Sequence, residues 1–356
     1  MPKRYISVVA VMVTVTETMM EGRITMAHNL ADKRDGSKAM LYTGATPWHE
    51  LGKAVPRHFT TREAIDHCEM DFTVEKHPIK VNGFNIEIPG KMATVRMDKM
   101  IPLGVVGDGY EVIQYVEAFG DFVDSILGYG NAVIETAGLL GNGEKGWIQC
   151  KLPGDIKVEG TKGKDVIEKR LTFATSHDGS MPLIAMEVAL RIVCQNTFNA
   201  ALQGKKTLRL SVRHTANAES RMEEVKRIIA HSSEAYAKLS RNVNILAGVG
   251  VDADKLSEYL NTLFPDNPKA KNNTRTQNVR DEVTRLYTEG SGQDIPGVKG
   301  TMWALYNGVT EYVDYHRSTR GETDANRLSN RLESVWFGSG ADLKAEALDL
   351  ALTMAK

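Results

Sequence analysis

The stretch CQNTFNAALQGKKTLRLSVRHT, from Cys194 to Thr215, brings together residue types that could do two kinds of chemistry. Cys194, Asn196 and His214 are the set a thiol hydrolase uses: a thiolate nucleophile, an orienting amide and an imidazole base. Lys205, Lys206, Arg209 and Arg213 lie in the same stretch with no acidic residue among them, which suits a phosphate backbone. On an extended strand Arg209 and Arg213 share a face, with Ser211 between them. Their separation of about 13 Å roughly spans two phosphates of an extended single strand. Arg191 and His214 are weaker candidates for the same surface. A solvated edge strand that uses charge to block aggregation gives the same pattern. Against the thiol reading, Cys194 follows the apolar residues LRIV, and a free cysteine in such a setting usually acts as a small buried hydrophobe. Asn196 and Thr197 have local uses as helix caps or backbone partners.

Other motifs are weaker. GNGEKG (141–146) has the spacing of a dinucleotide-binding loop, but the following WIQCKL alternates like a strand, so a hairpin loop is expected. WHE (48–50) and TSHDGS (175–180) bring histidine and acids together without the spacing that fixes metal ligands on one face. In the second, His177-Asp178-Gly179 reads as a turn, with Asp178 bonding backbone amides. His177 with Asp178 remains an alternative acid–base pair. A second acid-free basic run, KAKNNTRTQNVR (269–280), suits a mobile loop or a secondary nucleic-acid contact. Aromatic residues for base stacking are scarce near the first patch, where Phe198 is the one candidate and fits a core better. No catalytic set, metal site or cofactor is expected.

The elements that must position these residues follow from the rest of the chain. It has 356 residues, 42% hydrophobic and 25% charged, with a formal net charge of −1. That composition excludes a globally basic coat, but charge is uneven. Between Arg191 and Arg241 ten Lys/Arg face four Asp/Glu, a local balance of +6, while residues 1–190 sum to −4. The three cysteines are far apart and odd in number, which points away from a secreted disulfide framework and towards a reducing cytoplasm. The apolar run near the N-terminus, YISVVAVMVTVTETMM, is too short to span a bilayer and lacks a cleavage site. Residues 1–25 read as an extension ahead of Met26.

From about residue 40 to 215, short strand-like runs alternate with turn signals at Asn82-Gly83, Pro89-Gly90 and Asp108-Gly109. YVEAFGDFVDSIL (115–127) switches to helical period. AMEVALRIVCQNTFNAAL (185–202) leans to a helix over its second half, ending at Gly204, and TLRLSVRH (207–214) alternates like an edge strand. From residue 216 the pattern is helical. Met222, Val225, Ile229, Ser232, Tyr236, Leu239, Val243 and Leu246 form a heptad seam whose one polar member is Ser232. Further helices are expected at about 252–263, 274–288, 299–317, 324–337 and 340–355. The expected fold is α+β: an antiparallel hairpin sheet with packed helices over 26–215, then a helical region over 216–356 that opens with the long helix.

Five motifs in order, TPWHELGKAV (46–55), VVGDGYEVIQYVEAF (105–119), RIVCQNTFNAAL (191–202), RHTANAESRM (213–222) and GTMWALYNGVTEYVDYHR (300–317), resemble the phage/plasmid-like family built on the domain of unknown function nine-three-two. The resemblance covers about 26–340 and implies a role in mobile-element DNA metabolism. More remotely, the hairpin-plus-helix pattern resembles the single-strand-annealing recombination proteins, which form rings or filaments and hold single-stranded DNA in a basic groove between sheet and long helix. That resemblance implies single-stranded DNA and further copies of the chain as partners, inside a bacterial cytoplasm, with no catalysis. Two alternatives stand beside it: a hydrolase using Cys194 and His214, and a protein that binds a host defence or replication factor.

Overall fold

The computed structural model describes residues 30–44, 52–81, 86–193, 196–199, 210–211, 218–318, 334–335 and 338–356. The chain runs β1 (Met40–Thr43), β2 (Lys53–Val55), α1 (Thr61–His67), β3 (Val74–Lys80), β4 (Glu87–Arg96), β5 (Ile101–Gly107), α2 (Tyr115–Gly130), β6 (Val133–Leu140), β7 (Lys145–Lys151), β8 (Ile156–Lys157) and β9 (Val166–Ser176). It continues with β10 (Ile184–Arg191), β11 (Asn196–Asn199), β12 (Leu210–Ser211), α3 (Ala218–Ala247), α4 (Ala253–Leu263), α5 (Thr274–Glu289), α6 (Met302–Glu311) and α7 (Ser339–Met354). The fold is α+β. A large sheet has the order β11-β10-β9-β7-β6-β1-β2, with β8 added to β9 and β12 to β10, and a small sheet has the order β3-β4-β5. Every pairing is antiparallel except that of β1 with β2.

Local chemistry explains the elements. Thr60 and Glu63 form a reciprocal capping box at α1. Asn131, in the left-handed region at φ 48°, ends α2. Val225, Tyr236, Leu239, Val243 and Leu246 of the heptad seam are all buried, so the seam packs inside this chain, against α2, α6, α7 and β10. The seam's apolar face is thus covered within this chain. Met222 is 36% exposed and stands outside the buried set, while Ile228 takes its place there. One hydrophobic cluster runs from Ala31 to Ala351, on both sides of residue 215. A smaller one, including Met40, Tyr42, Trp147 and Ile184, lies on the other face of the large sheet.

Several expectations need correction. Residues 184–199 form the hairpin β10–β11 instead of leading into a helix. All eight residues of β10 are buried, so no alternation marks the strand, and a short apolar run leaves strand and helix indistinguishable. Pro89-Gly90 lies inside β4, where Gly90 takes φ +69° without ending the strand. Asp108-Gly109 makes a turn, but the chain then enters α2 in place of a second hairpin strand. Asn82-Gly83 and most of the helix expected at 324–337 lie outside the described residues. The helix expected at 299–317 begins at Met302, capped by the Thr301 hydroxyl, and ends in a π-turn at Tyr312–His316.

Arg191 also requires correction. It is buried, and its guanidinium forms a two-pronged ion pair with the buried Asp165 at 2.7 and 2.8 Å. It further donates to the carbonyl of Gly292 (3.1 Å), and Trp303 Nε1 donates to the same Asp165 carboxylate (2.9 Å). This arginine joins strand, loop and C-terminal helices and offers no surface to a phosphate. Removing one member of such a pair leaves an uncompensated charge in the interior. Arg191→Ala is expected to lower the unfolding free energy by about 3–5 kcal/mol, read as a shift in the urea midpoint. A change below about 1 kcal/mol, the size of an exposed pair, would contradict that role.

Candidate nucleic-acid interface

The site is built at the edge of the large sheet. The outer side of β10 pairs with β11 along Val188–Arg191 and with β12 at Ile184 and Ala185. The described part of the basic stretch, Leu210–Ser211, is thus an edge strand. Lys205, Lys206, Arg209, Arg213 and His214 lie outside the described residues, as do Cys194 and the WHE motif. Arg209 directly precedes the described strand, and Arg213 follows it by two positions.

Beside this edge lies α3, and buried polar groups fix how it sits. Glu187 on β10 is fully buried, accepts from Ser232 Oγ (3.0 Å) and lies 2.9 Å from His231 Nδ1. One turn on, the buried Tyr236 hydroxyl accepts from the Arg170 amide (2.8 Å) and reaches the carbonyls of Arg170 and Val188. Ser232, the polar break in the seam, is therefore the residue that meets a buried acid.

With that face fixed, helical period sets the rest. Arg227, His231 and Lys238 fall on the flank from which His231 reaches Glu187 of β10, with Arg241 next to them on the solvent side. Arg227 is tied to Glu224 (2.6 Å), whereas Lys238 and Arg241 have no carboxylate partner among the described residues. This flank carries Lys238 and Arg241, which were not singled out in the sequence. A helical wheel anchored on the seam would have found them.

A separate groove of about 400 Å³ lies on the opposite flank, between α3 and the β7–β8 connection. The second basic run is placed apart from both. Lys269, Lys271 and Arg275 are exposed, while Arg280 donates to the Phe264 carbonyl and pairs with Asp266.

The enzymatic alternatives gain little from the geometry. Cys68 and Cys150 are buried free thiols, and burial pushes the Cys68 thiol up to about 12. GNGEKG forms the β6–β7 hairpin turn, and Asp178 accepts from the Ser180 amide (2.8 Å), as expected of turns. His177 and Asp178 do not form an acid–base pair. The imidazole is buried against Tyr115 (4.1 Å between centroids) and Phe72 (5.9 Å), with no hydrogen-bond partner on either nitrogen. Among the described residues no cluster of three His, Cys, Asp or Glu is placed to hold a metal, and no helix is long and apolar enough to cross a membrane.

With sheet edge and helix in place, the architecture is that of an α+β protein in which the long α3 meets the large sheet at β10. A family model described as a domain of unknown function (DUF932) matches residues 102–336, and the chain belongs to that family. No curated protein and no solved structure matches it.

The buried His177 gives this region a pH dependence. Burial lowers its pKa from the ordinary 6.5 to about 4, a shift that nearby Asp178 only partly opposes. The other ionisable groups around it are Tyr110, Tyr115, Glu144, Lys145 and Arg96. The neutral imidazole is favoured in the folded state, so its contribution is complete above pH 6.5 and is lost as pH falls towards 4. The loss is at most roughly 3 kcal/mol. His177→Phe should flatten that part of the stability–pH curve in urea titrations. Parallel curves for the two proteins would show that the titration lies elsewhere.

Proposed function

We propose that this protein binds single-stranded DNA without catalysing a reaction, and serves strand annealing or recombination on a phage or plasmid. The observation that supports the reading is that Leu210–Ser211, inside the acid-free basic stretch, pairs with β10 at the side of the large sheet. On α3, Lys238 and Arg241 have no carboxylate partner among the described residues. Phosphate-directed lysines and arginines grip a backbone without reading sequence. That suits annealing, which must leave base edges free to pair. Lys205, Lys206, Arg209 and Arg213 are assigned the phosphate contacts, with His214 secondary.

The remote resemblance to single-strand-annealing proteins supports the same reading through its sheet and long helix, as an analogy of fold. Assembly into rings or filaments would use sheet edges, since the α3 seam is occupied. The β10–β11–β12 edge is one candidate. A host replication or defence protein remains the alternative partner.

The test is a gel-shift titration of a labelled single-stranded oligonucleotide at low salt. Arg209→Ala/Arg213→Ala is expected to weaken binding at least about tenfold, by losing two phosphate contacts. Lys238→Glu/Arg241→Glu should weaken it similarly without moving the urea midpoint, because Arg241 is exposed and Lys238 only half-buried. Unchanged affinity in both double variants would overturn the proposal.

A further inference from the structure

We propose that the groove on the other flank of α3 is a separate binding site for a phosphorylated small molecule of about nucleotide size. One wall is the α3 face carrying Ile229, Ser233, Tyr236, Ala237 and Ser240, and the other is the β7–β8 connection from Leu152 to Lys157. Gly130, the last residue of α2, closes one end, and Lys169 reaches in from β9. The volume of about 400 Å³ lies within the range of small-molecule sites.

Charge points to the ligand. Lys151, the neighbouring lysine on β7, is matched by two acids, Glu168 at 2.6 Å and Asp155 at 4.0 Å. Lys157 and Lys169, which line the groove, have no carboxylate partner among the described residues. Lys169 Nζ lies 5.9 Å from the centre of the Tyr236 ring, and its place beside Gly154 is close enough that a β-carbon there would stand 3.6 Å from it. The one acid lining the groove, Asp155, is the one that faces Lys151. Two uncompensated ammonium groups are suited to a doubly charged phosphate monoester, which lysine binds as a point charge.

Shape points the same way. Ser233, Ala237 and Ser240 put small side chains where a leucine would fill the space, and the half-buried Ile229 leaves an apolar patch for the uncharged part of a ligand above the buried Leu152 and Ile156. This flank is opposite the one bearing Lys238, so the inference does not rest on the DNA-binding reading.

The test is isothermal titration of the full chain at low salt with adenosine monophosphate, inorganic phosphate and adenosine. Saturable binding of adenosine monophosphate is expected, with inorganic phosphate weaker and adenosine alone not binding. Lys157→Gln and Lys169→Gln should each weaken it at least about fivefold. Ala237→Leu should abolish it by filling the groove, and Arg209→Ala/Arg213→Ala should leave it unchanged. Circular dichroism confirms that each variant is folded. Absence of saturable binding, or binding that all three groove variants leave unmoved, would overturn the proposal. So would loss of binding in the edge-strand variant, or full displacement by a thymidine oligonucleotide through the same lysines, either of which would assign the phosphate to a nucleic-acid backbone.

Discussion

The position of α3 on the sheet is set by two buried polar contacts, and both proposed binding surfaces depend on it. Apolar burial holds the helix down but is non-directional, so Val225, Leu239, Val243 and Leu246 alone would tolerate a rotation or a slide. The carboxylate of Glu187 under Ser232 and His231, and the Tyr236 hydroxyl between Arg170 and Val188, would not. Each is a buried group that costs roughly 1–3 kcal/mol if left without its partner. They fix which helix flank carries Lys238 and which faces the groove.

A second constraint ties this unit to the C-terminal helices. Asp165 accepts from Arg191 and from Trp303 at once, while Arg191 also reaches the carbonyl of Gly292. The loop before β9, the end of β10, the segment after α5 and the start of α6 therefore meet at one buried charge. Arg191 and Lys238 show how burial decides the use of a basic residue. The first is enclosed with a carboxylate and is structural, whereas the second is only half-buried, on the flank of α3.

Much of this was legible in the sequence, for stated reasons. The heptad seam announced α3, because a one-sided apolar face must cover something. The turn residues of GNGEKG and TSHDGS marked hairpin and turn correctly. β10 was misread because burial on both sides erased its alternation. Arg191 was misjudged because its partners Asp165 and Trp303 are 26 and 112 positions away, and no local pattern encodes such a meeting. The groove was invisible for the same reason: Lys157, Lys169 and Ser233 come from three separate elements. The strand character of Leu210–Ser211 was read from alternation alone, and the structure places that pair at an edge.

The central claim is that the basic stretch of this protein grips the backbone of single-stranded DNA. Fluorescence anisotropy with labelled single- and double-stranded oligonucleotides over a salt series tests it most directly. The account predicts tighter binding to the single strand, with affinity falling steeply and log-linearly as salt rises. Absence of binding at about 50 mM salt, or affinity insensitive to salt, would contradict it and reduce the stretch to a solvated edge.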